Sequence, residues 1–166
     1  NPDKIRNQLR GNGITALNQN IKKRGSRDGM DIALSVIDSE NDMLYYSGAY
    51  NPVYILRDGE IHEIKADRMP IGVHAVFQDT SFSVQSFQLQ SNDRLYFFFF
   101  FFYDQFGSDK GLKFGKKTFK EMIVEHSGKP MVEQNKAFEE TLNKWKGKWP
   151  QIDDIMVLGF HYNSNT

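Results

Sequence analysis

Cysteine is absent from the 166 residues. That removes disulfides, thiolate metal sites and a cysteine nucleophile, and it suits a cytoplasmic setting. An excess charge of either sign is also lacking: 21 lysines plus arginines stand against 21 aspartates plus glutamates. A balanced chain has no field that would gather DNA, RNA or an anionic membrane, so neither nucleic acid nor membrane is expected as a partner. No apolar stretch reaches the ~20 residues needed to cross a bilayer. The chain opens at Asn1 rather than Met and shows no signal-like segment, so it is expected to be a piece of something longer. Its length suits one domain, 1–166, with a full hydrophobic core.

Several catalytic signatures are missing too. The four histidines, His62, His74, His126 and His161, form no i,i+4 pair and no metal-ligand spacing. They read as scattered surface or half-buried residues. No serine sits in a nucleophile elbow, and "GNG" at 11–13 lacks the following glycine and lysine of a phosphate loop. Trp145 and Trp149 read as helix-end packing.

What is present is a change of period along the chain. Residues 2–22 place Ile5, Leu9, Leu17 and Ile21 on one helical face, with the glycines at 11 and 13 as a soft spot or a break. The runs 30–38, 42–48, 52–57 and 60–65 read as short strands, with "SEND" and "RDGE" as tight hairpin connections. A loop follows over 66–75. Residues 80–90 alternate, with Phe82, Val84, Phe87 and Leu89 close to one face, and "SND" turns the chain into "RLYFFFFFFY". Two helices come next. One carries Phe119, Met122 and Ile123; the other opens at Pro130 and carries Phe138, Leu142 and Trp145 on one side. A strand is expected over 153–162. Helix, antiparallel strands, two helices and a last strand make an α+β order.

The informative stretch is "PQIDDIMVLG", 150–159. Asp153 and Asp154 open the last expected strand, where neighbouring side chains would point to opposite faces. One acid can then enter a site while the other tethers a loop. Hard oxygen donors of this kind suit Mg²⁺ or Mn²⁺. The bland alternative is a pair of solvated turn residues.

Order sharpens the reading. The chain runs "DGMDIALSVID", "SGAYNPVY", "MPIG", "DRLYFF……YDQFG" and, after two helices, "QIDDIMVLG". This series resembles the SpoIIE-type branch of the protein phosphatase 2C-like, metal-dependent serine/threonine phosphatases over about residues 4–162. That family carries an "AGHNPP"-like turn, a "PLG" loop, a "GDRLLLYTDG" strand, a "FG" step and a terminal "DDIT" segment. The resemblance implies an αββα fold, an antiparallel β-sandwich flanked by helices. It implies two Mn²⁺ or Mg²⁺ ions held by aspartates, and a bridging water that attacks the phosphorus of a phosphoserine or phosphothreonine. Asp153, with Asp154 as a secondary residue, falls on the family's terminal metal-ligand motif. A phosphorylated protein substrate, an upstream sensor domain and a cytoplasmic location are what the family leads one to expect, and a homodimer is compatible with it.

Two departures bear on activity. The family's earlier strands, with a "D-x-x-GHG" segment and a further acid, have no counterpart here. At residue 95 onward the family pattern would read about "LYxFTDGYxDQFG". Against "LYFFFFFFYDQFG" it sets Phe99 at the small hydroxyl residue, Phe100 at the metal-binding aspartate and Phe101 at the glycine. Phenylalanine offers no oxygen to a cation. Four readings of the run stay open: a strand buried on both faces, letters that depart from the parent gene, a pseudophosphatase that has lost a ligand, or an active phosphatase that uses another ligand. Burial justifies Phe97 and Phe98 and explains little from Phe99 to Phe102. On the enzyme reading the chain is an impaired phosphatase domain. On the alternative it is a catalytically dead module that binds a phosphorylated or regulatory partner.

Overall fold

A computed structural model describes residues 14–15, 29–72, 81–99 and 101–164, the side chain of Phe101 excepted. The helix expected over 2–22 lies outside the described residues except at Ile14 and Thr15, and Phe100 lies outside them as well. The described elements are β1 (Ile32–Asp38), β2 (Met43–Ala49), β3 (Val53–Arg57), β4 (Glu60–Ile64), β5 (Gln85–Gln88), β6 (Arg94–Phe98), α1 (Phe101–Asp104), β7 (Phe106–Gly107), β8 (Leu112–Lys113), α2 (Lys116–Glu125), α3 (Met131–Lys146) and β9 (Val157–His161). The strands form three sheets, β1-β2-β5, β4-β3-β6-β9 and the small pair β7-β8. The fold class is therefore α+β with antiparallel sheets, as the sequence order led us to expect.

Two compact units divide the chain. One comprises Asn1–Val53, Glu63–Asn92 and Tyr162–Thr166; the other comprises Tyr54–His62 and Asp93–His161.

The first unit is built on β1-β2-β5. Strand β1 pairs antiparallel with β2 from Ile32↔Ala49 to Asp38↔Met43, and Leu44 of β2 faces Phe87 of β5. The connection 39–42 is tied by Asp38, whose carboxylate accepts the Glu40 N–H at 3.2 Å and the Asn41 side-chain amide at 3.0 Å. Its core holds Ile14, Ala49, Met69, Ile71 and Phe82. Strand β5 is shorter than the alternation over 80–90 suggested, yet Phe82 and Leu89 are buried all the same. The Asp42 carboxylate accepts the hydroxyls of Tyr162 and Ser164 and so anchors the end of the chain to this unit.

The second unit owes its shape to aromatic packing. Strands β3 and β4 are joined through Asp58 and Gly59, both at positive φ (50° and 81°), the geometry of a two-residue hairpin matching strand twist. Burial along β6 alternates only in part: Leu95, Tyr96 and Phe98 are buried, while Phe97 is half-buried. Helix α2 buries Phe119, Met122 and Ile123, the face its spacing predicts. Helix α3 buries Gln134, Ala137 and Phe138, with Leu142 and Trp145 packed partly against the same core. The Arg57 guanidinium forks onto Asp93, Nε to Oδ1 at 2.8 Å and the second nitrogen to Oδ2 at 2.7 Å, with the Asp93 side chain only 1% exposed.

The phenylalanine run is not one strand. It leaves the sheet after Phe98, turns with the Phe102 N–H donating to the Phe99 carbonyl at 3.2 Å, and enters α1 at Phe101. The turn changes the period and brings Phe102 back to the core that Phe98 already occupies. Both rings meet Phe119, at centroid separations of 4.8 Å for Phe98 and 4.6 Å for Phe102. Burial thus accounts for Phe102, 3% exposed, which the strand reading left unexplained.

Replacing Asp93 by Ala leaves the Arg57 guanidinium without its fork partner. Urea denaturation should show a loss of about 3 kcal/mol, the usual cost of breaking a buried pair from one side. A second outcome concerns Tyr162, whose hydroxyl is pushed up to about 12, first by its hydrogen bond to Asp42 and then by burial. The unfolded phenol titrates near ~10, so this contribution is complete below that pH and is lost as pH rises towards about 12. Wild type should lose stability more steeply over that window than Tyr162→Phe, measured by urea melts on either side of it.

Candidate metal centre

Strand pairing brings the two ends of interest together. In the antiparallel β6–β9 pair Phe98 stands opposite Val157, and the Phe99 N–H donates to the Met156 carbonyl at 3.3 Å. The segment after β6, which carries position 100 in the sequence, and the segment before β9, which carries Asp153 and Asp154, therefore leave the same end of one sheet.

Asp153 and Asp154 do not lie on the strand. It begins at Val157, three residues after Asp154. The expectation that the acids alternate between two faces of a strand is corrected accordingly: they occupy an exposed turn, where backbone direction and not pleat decides where each points. Asp153 folds onto its neighbour, its Oδ1 accepting the Asp154 N–H at 2.8 Å. The Gln151 side-chain amide donates to the Asp153 carbonyl at 2.9 Å. The turn is ordered by its own hydrogen bonds.

Gln105 fastens this turn to the segment that follows α1, and sequence reasoning missed it. Only 1% exposed, it donates through Nε2 to the Phe106 carbonyl at 2.8 Å and to the Pro150 carbonyl at 3.0 Å. Trp145 donates through its indole N–H to the Gln105 carbonyl at 3.3 Å, and Trp149 to the Ser108 carbonyl at 2.8 Å. The two tryptophans are packing residues at the end of α3, as expected, and they also clamp the β7–β8 hairpin. Asp104, at the end of α1, pairs with Lys113 across this hairpin at 2.9 Å, both side chains substantially exposed. Gln105 sits in the "DQFG" stretch that matches the family pattern, but its burial followed from no periodic pattern.

Three further motifs assemble in the first unit. The "SGAYNP" turn and the loop before "MPIG" are laced together: the Tyr50 N–H donates to the Asp67 carbonyl and the Asp67 N–H to the Gly48 carbonyl, each at 2.9 Å. Tyr50 takes a positive φ of 60° there. The Asp67 carboxylate accepts the Ser83 N–H at 2.8 Å and its hydroxyl at 3.0 Å. Met30, in the segment leading into β1, and Ile71 exchange both backbone hydrogen bonds at 2.9 Å. The motifs named from the sequence are thus held against one another, Asp67 tying the "SGAYNP" turn and Ile71 tying the segment that leads into β1.

The family model of Stage II sporulation protein E (SpoIIE) matches residues 8–163. The chain belongs to the SpoIIE family. Among solved structures, the SiaA-PP2C domain of Pseudomonas aeruginosa is similar to it at 29% identity, with a TM-score of 0.81 over 92% of this chain and 61% of that one. The chain thus spans less than two thirds of that domain. The phosphatase domain of the cell fate determinant SpoIIE from Bacillus subtilis shares the fold at 15% identity, TM-score 0.66, over 100% of this chain and 75% of that one. The catalytic domain of the serine threonine protein phosphatase PstP, in complex with 2 manganese ions, shares it at 15% identity, TM-score 0.59, over 97% and 71%. Among curated proteins none matches. The fold of this SpoIIE-family chain is that of the PP2C-type phosphatases.

Such a fold implies two cations held by carboxylates. Among the described residues there is no group of three or more histidine, aspartate or glutamate side chains placed to hold a metal ion. Two adjacent carboxylates in one exposed turn, one of them bonded to its neighbour's N–H, do not make a binuclear cage. The described residues of this chain do not fit the pair of ions.

Gln105→Leu keeps the side chain's bulk and leaves the Phe106 and Pro150 carbonyls without their donor. The expected cost is about 1–3 kcal/mol in chemical denaturation. Deuterium exchange should quicken at the amides of residues 151–156, while those of α2 stay protected.

Proposed function

We propose that this chain is part of a phosphoserine/phosphothreonine phosphatase domain of a SpoIIE-family signalling protein, and that in this form it recognises a phosphorylated protein without hydrolysing it. Membership of the family supports the phosphatase class. The observation that carries the second half is local: where the family pattern has an aspartate after β6 this chain has Phe100, and the paired strand end offers only Asp153 and Asp154.

Transfer of a phosphoryl group to water develops charge on the attacking oxygen, the leaving oxygen and the three equatorial oxygens. Two cations clamping both sides of an in-line displacement are the usual way to stabilise that charge. Mn²⁺ or Mg²⁺ would be the choice for carboxylate donors. In this reading Asp153 is the ligand and Asp154 is secondary, holding the turn through its N–H. Phe98 and Phe102, which flank position 100 in the sequence, are both buried. The cytoplasmic setting, the sensory module elsewhere in a longer protein and the phosphoprotein partner belong to the same proposal. SiaA-PP2C and SpoIIE, as phosphatase domains, support it by analogy alone.

The test uses the 166-residue chain, MnCl₂ and a phosphoserine peptide. No release of phosphate above buffer is expected, and calorimetric titration with MnCl₂ should find no site tighter than roughly millimolar, the weak end of carboxylate sites. The triple substitution Phe99→Thr, Phe100→Asp and Phe101→Gly should tighten Mn²⁺ binding, and adding Asp153→Asn should abolish that gain. Robust Mn²⁺-dependent turnover by the unmodified chain would overturn the non-hydrolytic reading. Unchanged Mn²⁺ binding on adding Asp153→Asn would overturn the role given to Asp153.

A further inference from the structure

Residues 110–120 read "KGLKFGKKTFK", five lysines and no acid, in a chain whose charges balance at 21 against 21. They fall on the β7–β8 hairpin and the first turns of α2. Three of the ammonium groups are seated over aromatic rings. Lys116 Nζ stands 5.4 Å from the Tyr103 centroid, Lys120 Nζ 4.7 Å from that of Tyr54 and Lys113 Nζ 5.9 Å from that of Phe106. A π face attracts a cation and fixes where it sits. Lys116 and Lys120 are i, i+4 neighbours on one helical face, and the two rings beneath them both pack on Phe119. Lys113 pairs with Asp104 at 2.9 Å and Lys117 with Glu121 at 3.8 Å, both exposed pairs that another carboxylate can replace at little cost. Helix energetics does not account for this placement. The first turn of α2 holds Lys116 and Lys117 and no acid, and Gly115 gives it no side-chain cap, although the positive end of the helix dipole favours acids there. Lysines at this density do not lie beneath an apolar covering, because a desolvated ammonium needs a counter-charge. The face is one for solvent or for an anion.

Resting on the reading of this chain as a module that recognises a phosphorylated protein, we propose that Lys113, Lys116, Lys117 and Lys120 dock an acidic stretch of the partner beside its phosphoserine. Backbone hydrogen bonds tie the lysine segment to the residues that follow position 100. The Gly115 N–H donates to the Tyr103 carbonyl at 2.8 Å, and the Phe114 N–H to the Gln105 carbonyl at 3.0 Å. A phosphoserine brought to the end of β6 thus has this face beside it, and its flanking residues meet the lysines. Spacing sets the form of the partner. Four residues of helix carry Lys120 ~6 Å along the axis from Lys116. Alternate residues of an extended peptide are ~6.6 Å apart, so two acids at i and i+2 match the two ammonium groups. The rings that hold the lysines reduce the rotamer freedom lost on binding. A nucleic acid or a lipid surface needs a broad positive field, whereas here the charge of the whole chain is balanced and the attraction is confined to one face.

Fluorescence anisotropy with the 166-residue chain in metal-free buffer tests it. One labelled phosphoserine peptide carries acids at alternate flanking positions; a second carries glutamines there. The acidic peptide should bind at least about tenfold more tightly, since exposed ion pairs give up to about fivefold each. Lys116→Gln combined with Lys120→Gln should remove that difference, with an unchanged far-ultraviolet circular dichroism spectrum. Lys117→Gln, at a side chain 90% exposed and so without effect on folding, should by itself weaken the acidic peptide about threefold. Lys136→Gln combined with Lys144→Gln makes the same charge change at exposed positions of α3 and should leave the difference intact. Equal affinity for the two peptides, or an equal loss in both double variants, would overturn the proposal. Tighter, lysine-dependent binding of a single-stranded oligonucleotide or of phosphatidylserine vesicles would overturn the acidic peptide as occupant. Phosphate release from the peptides on adding MnCl₂ would instead overturn the non-hydrolytic reading and leave the lysine dependence standing.

Discussion

The ring of Phe119 holds the second unit together. It is fully buried, and four other aromatic rings converge on it: Phe102 at 4.6 Å, Phe98 at 4.8 Å, Tyr54 at 6.0 Å and Tyr103 at 6.4 Å between centroids. These rings come from a strand of one hairpin, the end of a second strand, a short helix and a long helix. Tilted and edge-on pairs of this kind add about 0.5–1.5 kcal/mol each beyond area burial. The larger effect is geometric. A strand running on past Phe98 would carry Phe102 away from Phe119. β6 ends at Phe98 and α1 starts at Phe101, and the change of period brings a second ring, Phe102, to the same nucleus.

That turning point coincides with the position where the family pattern calls for a metal-binding acid. Packing and chemistry make opposite demands there. A carboxylate at the end of β6 would have to face solvent and cations while its neighbours Phe98 and Phe102 are buried in the core. The polar work is done at the margins. Arg57 and Asp93 secure the entry to β6, and Gln105 ties the exit of α1 to the segment bearing Asp153. These ties join the segments at the two strand ends through hydrogen bonds alone.

Much of the architecture was legible in the sequence because its signals are local. The turn pair Asp58–Gly59, the i, i+3, i+4 stripe of Phe119, Met122 and Ile123, and Pro130 ahead of α3 are each decided within a few residues by backbone sterics and helical period. The ordered series of turns and strands was enough to point to the family, which the match over residues 8–163 bears out. Boundaries were less legible. The alternation through 80–90 shrank to Gln85–Gln88, and the strand expected from Asp153 begins only at Val157. In both cases the apolar pattern continues where hydrogen-bonded pairing has already ended, and pairing depends on a partner strand remote in the chain.

The sequence by itself determined the α+β class, the hairpins and the amphipathic helices, because propensity and periodicity need no knowledge of distant contacts; the family was legible only through the resemblance of its ordered motifs. Tertiary structure alone decided three things: that Phe102 is a core residue, that Asp153 and Asp154 share a turn and not a pleated strand, and that Gln105 is buried between two carbonyls 44 positions apart, those of Phe106 and Pro150. Each of these depends on which remote groups come within about 3 Å for a hydrogen bond or about 5 Å for a ring contact, and no local pattern encodes that.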